Sequence, residues 1–162
     1  MRTTYRELFL TKRMKAISNK RAYFDYGIKE EYEAGISLFG FEVKSVKNGH
    51  IYLQGSFVII KNSEAFLLNA EIPPYQPLNT PKDYDLSRKR KLLLRKSEIK
   101  YLIGKTKEKG LTLVPLRVYT KHEKIKIKIG LGRSKKKTDK KQKIKERDIE
   151  REAEREIKDA GM

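Results

Sequence analysis

The sequence predicts a mainly β fold, a small closed barrel of antiparallel strands with short helices inserted, followed by a basic C-terminal tail. Three observations carry this reading. Apolar and polar residues alternate over short segments separated by turns, most clearly at 125–131 (IKIKIGL), where the isoleucines face a core and Lys126 and Lys128 face outward. No parallel strand-helix-strand repeat occurs. A length of 162 residues suits one domain with extensions better than two domains.

Taken in order, residues 1–18 carry Arg2, Arg6, Lys12, Arg13 and Lys15 around a short Leu8-Phe9-Leu10 patch, and are expected to be a flexible basic extension. Met14 is an alternative start. Residues 22–38 alternate aromatic and β-branched residues with acids, which predicts a long bent strand with Gly35 near the bend. Residues 39–47 predict a short helix with Phe39, Val43 and Val46 on one face, stopped by Asn48-Gly49. SFVIIK and AFLLNA around Asn62-Ser63 predict a hairpin of two mostly buried strands. Pro73, Pro74, Pro77 and Pro81 then place a long exposed loop before Tyr84-Asp85. Residues 97–109 predict a helix, with Ile99, Leu102 and Ile103 on its inner face, Ser97 as N-cap and Gly110 as stop. Two further strands, 111–120 and 125–131, meet at a turn over 121–124, with Pro115 at a bulge or an edge.

The charge bounds the function. There are 39 bases against 21 acids, a formal net charge of +18. A field of that sign attracts RNA, DNA or anionic lipid. Lipid is disfavoured, because no apolar run approaches the roughly 18 residues of a membrane span and no basic helix has a broad apolar face. Zero cysteines rule out disulfides and Cys-ligated metals, and suit a cytoplasmic protein.

Two segments concentrate the charge. In residues 88–96 (RKRKLLLRK) six of nine are basic, and Leu92 to Leu94 tie Arg88, Lys89, Arg90 and Lys91 to the core as a phosphate-contacting patch requires. Lys121, Lys124, Lys126 and Lys128 extend that field or simply follow from strand alternation. Residues 133–147 hold nine bases and two acids, and residues 148–162 six acids and three bases. Too polar to fold alone, this tail is expected to order on a polyanion. An enzyme reading fares poorly: His50 and His122 lack partners at metal-ligand spacing, no phosphate-binding Gly loop occurs, and Glu30, Glu31 and Glu33 read as ion-pair partners. No cofactor, metal or small-molecule substrate is expected.

Specific strings then resemble a known family. Asn19-Lys20-Arg21-Ala22, Tyr32-Glu33-Ala34-Gly35, Gly40-Phe41-Glu42-Val43-Lys44-Ser45, Asn69-Ala70, residues 88–94, Leu102-Ile103-Gly104, and Asp139-Lys140-Lys141 with Ile144-Lys145-Glu146-Arg147 resemble the bacterial SsrA-binding proteins, in order and spacing, from about 19 to 155. The resemblance implies an oligonucleotide-binding (OB) type barrel over 19–132 and a tail over 133–162 that is disordered when free and helical when bound. It implies a non-enzymatic partner of tmRNA in ribosome rescue. The barrel would hold the tRNA-like domain and the tail would probe the empty mRNA channel and the decoding centre. The RNA-binding set it implies, joined to the basic residues above, is Asn19, Lys20, Arg21, Glu33, Lys44, Arg88, Lys89, Arg90, Lys91, Leu93, Lys124, Lys126 and Lys128. The ribosome-contacting set is Ser134, Lys135, Lys136, Lys137, Thr138, Asp139, Lys140, Lys141, Ile144, Lys145 and Arg147. Phe24, Leu86, Ser134, Thr138 and Lys141 depart from the family's usual residues, and Thr138 lacks a ring that could stack on a base. The alternative is a ribosome-associated OB protein of the ribosomal or initiation-factor type.

Overall fold

A computed structural model describes residues 14–135 and 137–160, with side chains of the last helix described at 141 and 144–158. Residues 1–13 of the expected basic extension, and Lys136, lie outside the described residues, as do the side chains of Lys137, Thr138, Asp139 and Lys140. The element order is β1 (Ile17–Ser18), α1 (Lys20–Asp25), β2 (Tyr26–Ile36), α2 (Gly40–Lys47), β3 (Phe57–Lys61), β4 (Glu64–Leu68), a 3-10 turn (Pro77–Asn79), β5 (Arg90–Leu93), α3 (Lys96–Thr106), β6 (Leu111–Lys121), β7 (Lys124–Ser134) and α4 (Lys137–Ala160). The fold is mainly antiparallel β with helices. Strand order is β1-β6-β3-β4-β5-β2-β7, with an additional β6–β7 pairing.

The inner side chains follow the period of two. Ile125, Ile127, Ile129 and Leu131 of β7 are buried with Leu113 and Val118 of β6, Val58 of β3, Leu67 of β4 and Leu92 of β5, and Leu102 of α3 packs into the same core. In β6 both faces are covered, so Leu113, Val114, Pro115 and Leu116 are all buried, and the register shifts between Pro115 and Arg117. Val114 and Leu116 face α1 at Ala22, in a second small cluster. Close packing there depends on Gly132: a Cβ would stand 2.6 Å from the Gly27 carbonyl oxygen of β2.

Four local expectations are corrected. Residues 22–25 are helical, because Asn19 starts α1 by accepting from the Ala22 N–H at 3.3 Å, and the strand begins at Tyr26. Phe39 is exposed at the N-terminus of α2, and Glu42 rather than an apolar contact fixes that end by accepting from the Phe39 N–H at 2.8 Å. The N-cap of α3 is Arg95, whose N–H reaches Glu98 at 3.2 Å, so Ser97 lies inside the helix. The β3–β4 hairpin is only half-buried, since its outward side chains, Phe66 among them, lie on an uncovered face. Its turn residues Asn62 and Ser63 both have positive φ, as do His122 and Glu123 at the tip of β6–β7, which makes both connections two-residue hairpins.

One buried ionic cluster joins α2, β5 and the proline-rich loop. Glu42 and Arg90 are both 0% exposed. Arg90 donates from Nε and Nη2 to Glu42 Oε2 at 2.9 and 2.7 Å, from Nη1 to the Ala70 carbonyl at 2.6 Å, and from Nη2 to the Leu86 carbonyl at 2.8 Å. Arg88 donates to the other Glu42 oxygen. The Tyr84 hydroxyl accepts from Arg90 at 3.0 Å and shares its proton between Glu42 at 2.9 Å and the Ile72 carbonyl at 2.8 Å. Burial alone would raise the Glu42 pKa, but the bonds from Arg88, the Phe39 N–H and Arg90 outweigh it and hold the carboxyl below its ordinary 4.5. Burial and the Glu42 charge push Tyr84 up to about 12.

Removing one partner of such a cluster strands a buried charge, so Glu42→Gln should lower unfolding stability by about 3–5 kcal/mol, read as a fall in urea midpoint at unchanged slope. The depressed Glu42 pKa means that the unfolded chain binds more protons in acid. Its contribution is therefore fully present above the ordinary 4.5 and is lost as pH falls through the folded value. The wild-type urea midpoint should drop below about pH 4.5 more steeply than that of Glu42→Gln, and parallel curves would remove Glu42 as the acid-sensitive group.

Candidate nucleic-acid interface

The strand registers build one outer face from four strands. Gly35 of β2 pairs with Leu93 of β5 and with Lys126 of β7, and Lys126 pairs in turn with Tyr119 of β6. One step along, Glu33 pairs with Lys128, and Lys128 with Arg117. Lys91 shares the outward phase of β5 with Leu93, since Arg90 and Leu92 point inward. Of the sequence-based set, Glu33, Lys91, Leu93, Lys124, Lys126 and Lys128 therefore come together here.

Leu93 is 57% exposed, an unusual position for a leucine on a basic surface. It lies directly over Gly35, where a Cβ would come 3.3 Å from the Leu93 Cβ. With Lys124, Lys126, Val43 and Leu38 these residues line a cavity of about 330 Å³. The floor is apolar and the rim carries Lys124 and Lys126 beside one acid, Glu123, which suits a sugar or base edge below flanking phosphates held by the lysines.

Glu33 orders this rim. It accepts from the Tyr119 hydroxyl and from Lys121 Nζ at 3.3 Å. The Tyr119 bond leads in holding its carboxyl below the usual range, and together with Lys121 and Lys126 it outweighs the opposing effect of burial. Burial and the Glu33 charge push Tyr119 up to about 12. Lys128 Nζ stands 3.9 Å from Glu31, and the Arg117 guanidinium lies 5.8 Å from the Tyr119 ring centre. A second carboxylate, Glu30, accepts from the Tyr32 and Tyr101 hydroxyls at 2.6 and 2.8 Å, which tie α3 to β2. Tyr119 and Tyr101 were missed in the sequence, whereas Lys121 was named there as a possible extension of the basic field. For Tyr119 the signal was available, because it shares the outward phase of β6 with Arg117 and Lys121.

Other expected contacts go elsewhere. The Arg90 side chain is fully buried and cannot touch phosphate, which corrects the reading of 88–91 as one exposed patch. The strand period explains it: alternate positions of β5 point inward even when they are basic. Arg88 is largely committed to Glu42, with its guanidinium 4.0 Å from the Phe39 ring centre. Lys89 is exposed over Phe66, at 4.4 Å from that ring. Asn19, 6% exposed, is corrected to a strut: its Nδ2 donates to the Pro115 carbonyl at 2.9 Å and the Leu53 carbonyl at 3.4 Å. Lys20 and Arg21 are exposed on α1, with Arg21 paired to Asp25 at 3.0 Å. Lys44 is on α2 beside Tyr75.

In the tail set, Ser134 closes β7 opposite Tyr26, and the Lys135 N–H donates to the Asp25 carbonyl at 2.7 Å. Lys141, Ile144, Lys145 and Arg147 are exposed on α4. The Arg147 guanidinium lies 5.8 Å from the Phe24 ring centre, and Arg21 lies 5.6 Å from the same ring. Among the described residues, no cluster of His, Asp or Glu is placed to hold a metal, and no helix is long and apolar enough to cross a membrane.

These features meet a consistent set of relatives. The family model described as "SmpB protein" matches residues 16–159. The SsrA-binding protein of Sulfurihydrogenibium sp. is 52% identical over 141 residues, covering 87% of this chain and 92% of the relative. That of Thermosynechococcus vestitus is 47% identical over 140 residues, covering 86% and 92%. A solved structure described as "tmRNA-SmpB: a journey to the center of the bacterial ribosome" matches with a TM-score of 0.63 and 46% identity, over 75% of this chain and 85% of that one. By a family match that runs from the first strand into the last helix, the chain belongs to the SmpB family of SsrA-binding proteins.

Proposed function

We propose that the chain binds tmRNA through the outer face of β2, β5, β6 and β7 and carries it to stalled ribosomes for trans-translation, acting in the cytoplasm as a binding adaptor and not as a catalyst. The observation that carries this is the row Leu93, Gly35, Lys126 and Tyr119, fixed by three strand pairings and rimmed by lysines, in a chain whose relatives are SsrA-binding proteins. Leu93 supplies an apolar contact with sugar or base, and Lys91, Lys124, Lys126 and Lys128 supply phosphate contacts. Glu33 works through Tyr119 and Lys121, as a positioning residue. Recognition of this kind reads the shape of a folded RNA, since side chains cannot read the deep major groove of an RNA helix.

The architecture we assign is an OB-type closed barrel over 19–132 with a tail over 133–162. Support comes from the pairing of β6 with β7 as well as with β3, which closes the order β6-β3-β4-β5-β2-β7 back onto β6. The tail is assigned to the mRNA channel and the decoding centre, using Lys135 to Lys137, Lys140, Lys141, Lys145 and Arg147 for charge and Ile144 for an apolar contact. Ile144, Ile149 and Ile157 are all exposed on α4, which leaves that helix without a described core of its own. Each acid-base pair along it adds only about 0.2–0.5 kcal/mol. Beyond Lys135, where β7 and its last bond to α1 end, the tail is therefore disordered in the free protein and helical when bound.

Glu33→Gln should bind the tRNA-like domain about tenfold more weakly, a 1.4 kcal/mol effect, at unchanged thermal stability. Normal affinity in a gel shift would remove Glu33 from the interface. Lys91→Ala should flatten the salt dependence of binding by about 0.7–0.9 log units for the lost phosphate contact, and an unchanged slope would clear β5 of phosphate contact. A chain ending at Lys135 keeps β7 whole. It should bind the free RNA normally yet fail to support tagging of a nascent chain on a truncated message, and tagging at full rate would refute the role given to the tail.

A further inference from the structure

Lys44 does not belong to the sheet face. It stands on α2 at the edge of an open cavity of about 900 Å³, formed where the chain entering β1, the C-terminal end of α2 and the proline-rich loop meet. Lys15, Lys44 and Lys47 line this cavity and no acidic residue does. Lys91, Lys105, Lys121 and Lys128 are each held by a carboxylate, whereas none of these three lysines is in an ion pair among the described residues. Tyr75 presents a ring that is 46% exposed, with Lys44 Nζ 6.0 Å from its centre. Gln76 Oε1 accepts from Asn79 Nδ2 at 2.8 Å, so the Gln76 amide N–H groups remain to donate.

We infer that this cavity is a second RNA site, taking one unpaired nucleotide of the RNA held on the sheet face, with its base stacked on Tyr75 and its flanking phosphates on Lys44 and Lys47. The inference rests on the RNA-binding reading above. A lone aromatic ring among unpaired ammoniums is the arrangement that binds single strands, since every base has a stacking face and every nucleotide a phosphate. The volume falls in the range of about 300–1,000 Å³ that suits a small ligand. An acidic peptide would use the lysines but not the ring. The preceding residues 1–13 of this chain carry Arg2, Arg6, Lys12 and Arg13 against Glu7, so their charge repels the same lysines. The two sites also adjoin: Val43 lines the smaller cavity beside Leu93, and Lys44, the next residue of α2, lines the larger one.

The test uses the full chain and a short uridine oligonucleotide carrying a central 4-thiouridine, photocrosslinked and mapped by mass spectrometry, together with gel shifts on the tRNA-like domain. Crosslinks should map to Tyr75 or its immediate neighbours. Tyr75→Ala should weaken binding of the structured RNA about 5- to 100-fold while Tyr75→Phe retains it. Lys44→Gln/Lys47→Gln should flatten the salt dependence by about 0.7 log units per lost contact. Unchanged affinity and slope in these variants, alongside a weakened Glu33→Gln, would overturn the second site and leave the tmRNA reading standing. A chain that bound no RNA would overturn both. If only a chain starting at Met14 crosslinked at Tyr75, residues 1–13 would be the cavity's occupant and the proposal would fall for the full protein.

Discussion

The buried carboxylate of Glu42 is the constraint on which the rest of the arrangement depends. It holds Arg90, the first residue of β5, and Arg88 just before it, while Tyr84 and the Ala70 and Leu86 carbonyls satisfy the remaining donors. A fully buried guanidinium without these partners would be far too costly to keep. With them, β5 is locked in phase: Arg90 and Leu92 point in, so Lys91 and Leu93 must point out. A slip of one residue would turn every side chain over. The exposed leucine at the centre of the face proposed for RNA is thus set by an ion pair on the opposite side of the strand.

The same cluster sorts the cations by role. A run of four bases in 88–91 looks uniform in sequence, yet two guanidiniums are directed to Glu42 and two ammoniums to the surface. The division follows the chemistry of the groups. A guanidinium is planar, carries five donors and is weakly hydrated, which suits a buried fork on a carboxylate, whereas a strongly hydrated ammonium is better left near water. On the β6–β7 hairpin the logic differs again, because Glu33 restrains Lys121 and Tyr119 at the surface without removing them from reach.

Much of this was legible in the sequence. The alternation of IKIKIGL gave β7 and its inward face, the Asn62-Ser63 turn gave the β3–β4 hairpin, and Pro115 marked the β6 bulge. The helix over 22–25 was not legible, because Tyr23, Phe24 and Tyr26 read as strand residues, and what makes the segment helical is a long-range fixture: Asn19 bonded across to Pro115 and Leu53. Phe39 was misread for a related reason, since its spacing to Val43 fits a helix face but the helix begins one residue later. Of the expected interface, Leu93, Lys126 and Lys128 were named from motif and alternation, and the strand registers bring them onto one outer face. Arg90 was misassigned because charge density was read without the strand period. The cavity at Tyr75 joins three segments distant in sequence, and no local pattern reports such a meeting.

The geometry also bears on how an RNA grip and a tail can be coupled. β7 begins at Lys124, beside the Leu93 cavity, and ends at Ser134, where Lys135 is tied to α1 and α4 follows. Eleven residues of strand extend roughly 35 Å at about 3.3 Å per residue. The strand is paired on both sides, to β2 and β6, along most of that length. Gly130 and Gly132 let Ile28 and Gly27 pack against its far half, so no side chain separates the two backbones there. A strand clamped in this way bends little. The face proposed for RNA at its start and the helix leaving its end are therefore held at a fixed separation, so that under the proposed reading the origin of the tail is set by β7 and not by a flexible linker.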